Sequence, residues 1–348
     1  MKCIMSLFLI IIAIAVGLSA LIIIHELGHF LVAKWLGLFV EEFGFGLPPR
    51  IFGKKIGETV YSLNWLPFGG FVRIFGERPE ETASPEQIER SFAHQPVAKR
   101  AIIVVAGVIM NFALGWLLLS SVFAIGIPQS ILVSGVQKGG IADIAGIQQG
   151  DQFIEFKTVP EFVEFLEVNK GAEVRIAIKR GGETFPVKFV PRVAVPEGEG
   201  NIGVFLDEIG LLKQNFFRSF LEGFKLSLQI TKAIFAGIVQ LVVGVFTDIS
   251  ILDRFVGPVG IVSVAIGTAR AGFVQFLQLL ALISLNLAVF NVFPIPALDG
   301  GRLLFLMLEK LRGKPINMHT EMVINGVSFF ILLILIGAVT VKDIVALL

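Results

Sequence analysis

Cysteine is almost absent from this chain, which has one in 348 residues, Cys3. A single cysteine excludes an intrachain disulfide and a cysteine-based metal cluster. Histidine is also scarce, with four residues in the whole chain. Any bound metal must therefore use those few histidines together with Asp or Glu side chains.

Charge is scarce as well. Charged residues make up 16% of the chain, whereas a soluble domain has about 25%. The formal net charge of +1 argues against nucleic acid as a partner, because a nucleic-acid-binding protein typically carries a basic stripe. Apolar residues reach 55%, above the ~45–50% of soluble domains. The composition therefore predicts a membrane protein that sits in the lipid bilayer.

Four stretches are apolar and long enough to cross a bilayer, which takes ~20 residues of helix. They run from Ile4 to Ile24, from Ala101 to Ile127, from Phe273 to Phe293 and from Met322 to Val341. The first could instead be a cleaved signal peptide, but it exceeds the usual ~7–15-residue apolar core and no cleavage site follows it. We therefore predict a four-span α-helical core.

The segment Leu212–Phe246 is ambiguous. Its first half is amphipathic, and its second half, from Ala233, is apolar but short. It fits either an interfacial helix or a further span, and a further span would need another crossing that Val256–Ala269 supplies poorly. We favour an interfacial or membrane-dipping helix, with the span as the open alternative.

Lysine and arginine in short loops predict the orientation, because they are enriched on the cytoplasmic side. The loops after the first and third spans are both rich in them, so both loops are predicted to be cytoplasmic and both termini to lie outside. The residues are Lys34, Arg50, Lys54, Lys55, Arg73, Arg78, Lys99 and Arg100 in the first loop, and Arg302, Lys310, Arg312 and Lys314 in the second.

The polar stretch between the second and third spans predicts one small inserted domain. Arg175–Lys179 and Phe185–Phe189 alternate like strands joined by a Gly-Gly turn, and Pro160–Val168 has the pattern of a short amphipathic helix. The composition of Val195–Asn201 is that of a linker.

The motif that carries chemistry is His-Glu-Leu-Gly-His at the end of the first apolar run. His25 and His29 are four residues apart, so they share one face of a helix and both imidazoles can reach one zinc ion. Glu26 lies beside them and can act as general base on an attacking water. Ionisable residues within a membrane span are functional by default, and this context strengthens a motif that is otherwise short.

A catalytic zinc usually has three protein ligands, so a third is expected elsewhere in the chain. His94 and His319 lie in charged, loop-like surroundings and are better explained as solvated side chains. Asp299 is the better candidate, because it follows the third apolar stretch where Pro294 and Pro296 break the helix. Irregular backbone at membrane depth is tolerated where it is buried in protein or lines a cavity.

On these residues the chain resembles the site-2 protease family of intramembrane metalloproteases, and within it the bacterial branch that carries PDZ domains, the regulator-of-sigma-E protease type. The resemblance covers nearly the whole chain. Several relatives carry two tandem PDZ domains, whereas this chain has room for one. The second span has Val108 where the family often has proline, but it keeps Asn111. The matching motifs are His25–His29, Asn291 with Leu298-Asp299-Gly300, Phe43–Gly46 and Pro67–Val72.

The resemblance implies roles for specific residues. His25, His29 and Asp299 would bind Zn²⁺, and Glu26 would be the catalytic acid and base. Asn291 matches a position implicated in substrate handling. The loop after the first span would form membrane-associated β-hairpins near the active site. Further candidates for substrate binding are Gly44, Gly46, Gly69 and Gly70 in that loop, and Pro294 and Pro296 beside Asp299.

The predicted organisation has four parts: residues 1–126, with the first two spans and the β-hairpin loop; residues 127–193, a PDZ-like extracytoplasmic α+β domain; residues 194–272, a linker and interfacial helices; and residues 273–348, with the last two spans. The implied function is regulated intramembrane proteolysis of single-span membrane proteins or peptides, such as anti-sigma factors or remnant signal peptides. The implied location is the bacterial inner membrane, with the active site near the cytoplasmic side.

Two other classes of function compete with this interpretation. The His and Asp cluster could carry or sense a metal ion without catalysis, or the PDZ-like domain could serve a non-enzymatic scaffold. Glu26 discriminates between the first alternative and a protease, since an ion carrier has no need of a general base. A scaffold has no use for both the histidine motif and the distant Asp299.

Overall fold

The computed structural model describes residues 2–77, 84–194, 200–244 and 257–347. It forms two compact units, one of Met1–Ser120 with Phe220–Leu348 and one of Ser121–Ser219. Most of the predicted linker Val195–Asn201, together with Arg78, Phe246 and Val256, lies outside the described residues. In chain order the elements are α1 (Lys2–Trp35), β1 (Val40–Ile56), β2 (Thr59–Ile74), α2 (Pro85–Glu89), α3 (Val97–Ile125), β3 (Ile127–Val136), α4 (Ile141–Ile144), β4 (Gln152–Phe153), α5 (Val159–Val168), β5 (Val174–Arg180), β6 (Glu183–Phe189), β7 (Val204–Leu211), α6 (Phe216–Gly244), α7 (Pro258–Ala271), α8 (Phe273–Val292), α9 (Asp299–Arg312) and α10 (Met318–Leu347).

Five helices in the described part of the chain are long and apolar enough to cross a membrane. Four of them, α1, α3, α8 and α10, correspond to the four predicted apolar stretches, but α3 ends at Ile125 and α8 at Val292, so Ile127 lies in β3 and Phe293 follows α8. The fifth is α6, which the sequence analysis favoured as interfacial. It is one continuous helix of 29 residues, whereas α7, with 14 residues, is too short to span.

The amphipathic character of α6 has a packing explanation. Its aromatic side chains contact Trp116 of α3, with ring centroids 4.2 Å away for Phe220 and 4.9 Å for Phe224. The Trp116 indole N–H also donates to the Phe220 carbonyl at 2.8 Å. Gly223 lies against Ser120, where an added Cβ would come within 2.8 Å of backbone atoms. Part of α6 therefore packs on α3, while Phe216, Phe217 and Leu221 stay exposed.

Strands β1 and β2 form an antiparallel hairpin that folds back on itself. Glu42–Phe45 pairs on one side with Gly70–Arg73 and on the other with Val60–Leu63. Gly70–Arg73 therefore forms one outer strand of this sheet. The sheet packs on α1 through Phe30, whose ring lies 5.0 Å from that of Phe43. This contact places the outer strand beside the histidine motif.

The second unit contains a five-stranded antiparallel sheet in the order β6-β5-β4-β3-β7. The predicted hairpin is present, with Gly181 and Gly182 both at positive φ, as its two-residue turn requires. The predicted amphipathic helix is α5, which buries Phe162 and Leu166. The unit extends beyond the predicted end at residue 193, because β7 pairs with β3 and completes the sheet.

Candidate metal centre

The histidine motif lies inside α1, which continues for six residues beyond His29 to Trp35. The side chains of His25 and His29 are buried. Their rings meet edge to face at 4.7 Å between centroids, and their Nε2 atoms are 3.1 Å apart. One turn of helix thus directs two metal-binding nitrogens at the same point.

Asp299 is the first residue of α9 and lies directly after the turn that follows α8. Its Oδ2 lies 3.0 Å from His25 Nε2 and 3.3 Å from His29 Nε2. Gly300 makes this turn possible, because a Cβ at that position would collide with the Phe293 carbonyl. The Asp-Gly pair is therefore required by the packing of the turn as well as by chemistry.

The three candidate ligand atoms fit a single small cation. They form a triangle with edges of 3.0, 3.1 and 3.3 Å. Ligand atoms around a tetrahedral zinc with bonds of about 2.0–2.2 Å are separated by roughly 3.3–3.5 Å. Asp299 Oδ2 is also buried without a satisfied hydrogen bond, and a buried carboxylate oxygen in that state needs a partner. The donor set of two imidazoles and one carboxylate is one that zinc prefers.

The Asp299 carboxyl lies in α9, outside the helices that could span the membrane. Burial alone would raise the pKa of Asp299, but its interactions with His25 and His29 outweigh burial and hold the pKa well below its usual range. The group is therefore an anion at neutral pH, as a metal ligand must be.

Helix α3 forms the wall behind the two histidines. The Ile103 carbonyl lies 2.8 Å from His29 Nδ1. The Asn111 side chain lies 3.2 Å from His25 Nδ1 and is fully buried. Between these positions is Gly107, where a Cβ would stand 2.6 Å from His29 Cε1 and 2.7 Å from His25 Cε1. Only glycine leaves room for both rings.

Glu26 projects from the same turn toward the hairpin. Its Oε2 accepts a hydrogen bond from the Val72 backbone N–H at 3.1 Å. Gly70 lies next to it, since a Cβ there would be 3.9 Å from Glu26 Cγ. The carboxylate thus lies between the metal ligands and the outer strand of the sheet.

The structure brings some of the predicted substrate-binding residues to this centre and not others. The Asn291 amide is 3.3 Å from His25 Nε2, and Gly69 lies close to Ile22 of α1. Gly44 contacts Phe71 and Gly46 contacts Leu66, both within the sheet.

The two prolines and the two remaining histidines have other surroundings. Pro294 and Pro296 form the turn before α9, where Gly301 packs closely against Pro296. His94 contacts Ser91 at 2.8 Å. The backbone N–H of His319 donates to Asn317 at 2.9 Å.

Sequence reasoning missed the contribution of α3. Ile103 and Val72 act through backbone atoms, which no motif reveals. Asn111 was noted only as a feature shared with the family. The available signal was the spacing of Ile103, Gly107 and Asn111, four residues apart and hence on one helix face.

Comparisons with known proteins match this chain to a peptidase family and to relatives named as proteases. The family model of peptidase family M50 matches residues 13–335. A protein of Clostridium perfringens named as a zinc metalloprotease is 34% identical, and the match covers 94% of this chain and 96% of that protein. The regulator of sigma-W protease RasP of Bacillus subtilis is 31% identical, with 96% of this chain and 98% of that protein covered. The zinc metalloprotease RasP of Geobacillus kaustophilus is 29% identical, with 96% and 97% covered.

Proposed function

Because the chain belongs to peptidase family M50, we propose that it is an intramembrane endopeptidase whose zinc is held by His25, His29 and Asp299 and whose general acid and base is Glu26. The protein is a zinc metalloprotease with helices that can span a membrane. Beyond this, we propose which residues are the zinc ligands and the general base, where cleavage takes place and which class of substrate is cut.

One observation carries this proposal. Two histidines in the last third of an apolar helix and an aspartate 270 residues later point their ligand atoms at one place, within 3.0–3.3 Å of each other. Buried ionisable groups are costly in a membrane protein and mark functional sites. A surface turn would have no reason to bury Asp299 against two histidines.

The chain's own residues account for the proton transfers. When bound, zinc would supply a Lewis acid that polarises the scissile carbonyl and favours ionisation of the attacking water. Glu26 accepts the proton of that water and delivers it to the leaving amine nitrogen. The Val72 N–H holds the Glu26 carboxylate beside the ligands through its 3.1 Å hydrogen bond. Asn291 lies near enough to His25 to contact a bound peptide group.

Hydrolysis needs water, and a cavity of about 880 Å³ extends to Val72, the residue that bonds Glu26. It is lined by charged residues that include Glu77, Arg302 and Glu321. Arg302 pairs with Glu77 at 3.1 Å, and Arg100 pairs with Glu309. Charged walls keep such a cavity wet, so it supports a water supply from this side.

A substrate helix hides its peptide bonds in internal hydrogen bonds, so the segment to be cut must become extended. The outer strand Gly70–Arg73 offers an edge for pairing. The Val72 N–H points away from β1 toward Glu26, and Gly70 shares that direction because strand residues alternate. An extended substrate paired there would lie beside Glu26.

The substrates we propose are single-span membrane proteins or peptides, such as anti-sigma factors or remnant signal peptides. The distribution of lysine and arginine supports cytoplasmic loops after α1 and α8, with both termini and the second unit outside a bacterial inner membrane. The core would be the spans α1, α3, α8 and α10, and α6 packs on α3 through Phe220 and Phe224.

The second unit supports a PDZ-like role. Its edge strand β7 lies next to α5, with the Val159 N–H donating to Glu208 at 2.8 Å. An edge strand beside a helix is the arrangement in which PDZ domains bind extended chain ends. We propose that this unit filters which substrates approach the membrane.

The strand-pairing step predicts the effect of a proline. Gly70→Pro removes an edge N–H and should reduce cleavage of a purified single-span substrate at least about tenfold, while zinc content stays unchanged. Substrate cleavage is followed by gel, and zinc by elemental analysis of the same preparation. The matched control is Gly53→Pro, in the outer strand on the opposite side of the sheet. Loss of zinc in Gly70→Pro, or equal loss of cleavage in both variants, would reject strand pairing.

A further inference from the structure

We infer that helix α3 is a positioning element for the metal centre, in which Asn111 accepts a hydrogen bond from His25 Nδ1–H and fixes that ring for metal binding. This inference rests on the proposed metal site. Asn111 is not itself a ligand, since its amide faces the ring nitrogen that points away from Asp299.

The tautomer of His25 follows from the directions in which its two ring nitrogens point. Its Nε2 faces Asp299 and His29, at 3.0 and 3.1 Å, so Nε2 is the atom available to a metal. A neutral imidazole that binds through one nitrogen carries its proton on the other. His25 Nδ1 is therefore a donor and requires an acceptor.

The group 3.2 Å from His25 Nδ1 is the Asn111 amide. Its nitrogen is placed toward the ring, while Asn111 Oδ1 is buried without a partner. The nitrogen and oxygen of an amide are assigned from the hydrogen-bond network. Rotating the amide by half a turn gives Nδ1–H an acceptor and relieves the unpaired oxygen in one step. His25 Nδ1–H and Asn111 Oδ1 are then paired with each other, as buried polar groups should be.

Asn111 is held firmly enough for this task. It is fully buried, and its backbone carbonyl accepts a hydrogen bond from the Ser284 hydroxyl of α8 at 2.8 Å. On the same face of α3, the Ile103 carbonyl accepts from His29 Nδ1, and Gly107 leaves space for both rings. This face of α3 thus presents one acceptor for each histidine, the Ile103 carbonyl for His29 and the Asn111 amide for His25. The space for the two rings lies between them, at Gly107. Partners of this kind fix ring orientation and ligand basicity in metal sites.

The test is the zinc dissociation constant of the purified protein, measured by competition with a fluorescent chelator. Asn111→Leu keeps the size of the side chain and removes the acceptor, so zinc affinity should fall about 10–100-fold. Asn111→Asp keeps only acceptor oxygens and should stay within about threefold of wild type. Gly107→Ala should also weaken zinc binding, because its Cβ displaces the rings.

Matched controls separate positioning from general damage. Asn286→Leu changes an asparagine of α8 whose amide donates to the Leu282 carbonyl in its own helix, and Gly237→Ala adds a Cβ in open space. Both should bind zinc like wild type. If Asn111→Leu does not fold, Asn111→Asp still tests the inference. If the native amide acted as a donor to His25, Asn111→Asp would lose as much zinc affinity as a variant that lacks a metal ligand.

Two results would overturn this inference: wild-type zinc affinity in Asn111→Leu, or strongly reduced affinity in a folded Asn111→Asp. A His25→Ala variant distinguishes these failures from failure of the proposed site. If His25→Ala binds zinc normally, the proposed site is wrong. If His25→Ala loses zinc and Asn111→Leu keeps it, only the role of Asn111 is wrong.

Discussion

Glu26→Gln should abolish cleavage while the protein keeps its zinc. The substitution preserves the size of the side chain and an oxygen that can accept from the Val72 N–H, 3.1 Å from the native carboxylate. It removes the group that takes a proton from water, and such a loss costs about 10²–10⁴-fold in rate. Zinc should be retained, because the three ligand atoms belong to other residues.

The measurement pairs cleavage of a single-span substrate with the zinc content of the same preparation. Glu89→Gln, the same change at an exposed position in α2, should have wild-type activity. An ion carrier that uses the cluster without catalysis should tolerate Glu26→Gln. Full cleavage by this variant would therefore remove Glu26 from the mechanism and favour ion handling.

Asp299→Asn should remove both zinc and activity. The amide keeps the shape of the side chain at the start of α9 but loses the anionic oxygen that faces both histidines at 3.0 and 3.3 Å. Loss of an outer-shell partner typically costs 10–100-fold in metal affinity, and loss of a ligand should cost more than about 100-fold. Chelator competition measures the affinity directly.

The control for this variant is Asp207→Asn, an exposed aspartate of β7, which should bind zinc normally. Excess zinc in the assay should restore part of the cleavage by Asp299→Asn, because the two histidines and Glu26 remain. Wild-type zinc affinity in Asp299→Asn would show that the third ligand is another residue.

Much of the centre could be predicted from sequence because its chemistry is encoded locally. The spacing of His25 and His29 on a helix defines a shared face, and a glutamate beside them suggests a base. Asp299 was predicted from its place after the third apolar stretch, where Pro294 and Pro296 break the helix. Apolar length alone located α1, α3, α8 and α10, because a membrane requires long uncharged helices.

What the sequence did not reveal depends on contacts between distant elements. The polar half of α6 suggested an interfacial helix, but Phe220 and Phe224 pack against Trp116. The pairing of β7 with β3 joins residues 68 to 84 positions apart, and no local pattern assigns β7 to the domain. The support that α3 gives to the histidines uses a backbone carbonyl and the absence of a side chain at Gly107, neither of which has a signature.

The central claim is that zinc at His25, His29 and Asp299 drives cleavage within a membrane segment. It is tested most directly by stripping zinc from the purified wild-type protein, restoring it, and mapping the products of a single-span substrate by mass spectrometry at each stage. We expect cleavage inside or at the edge of the spanning segment, its loss with zinc, and its return when one zinc per chain is restored. A protein that binds one zinc and yet cuts no substrate, including one with a destabilised helix, would contradict the account and favour ion handling.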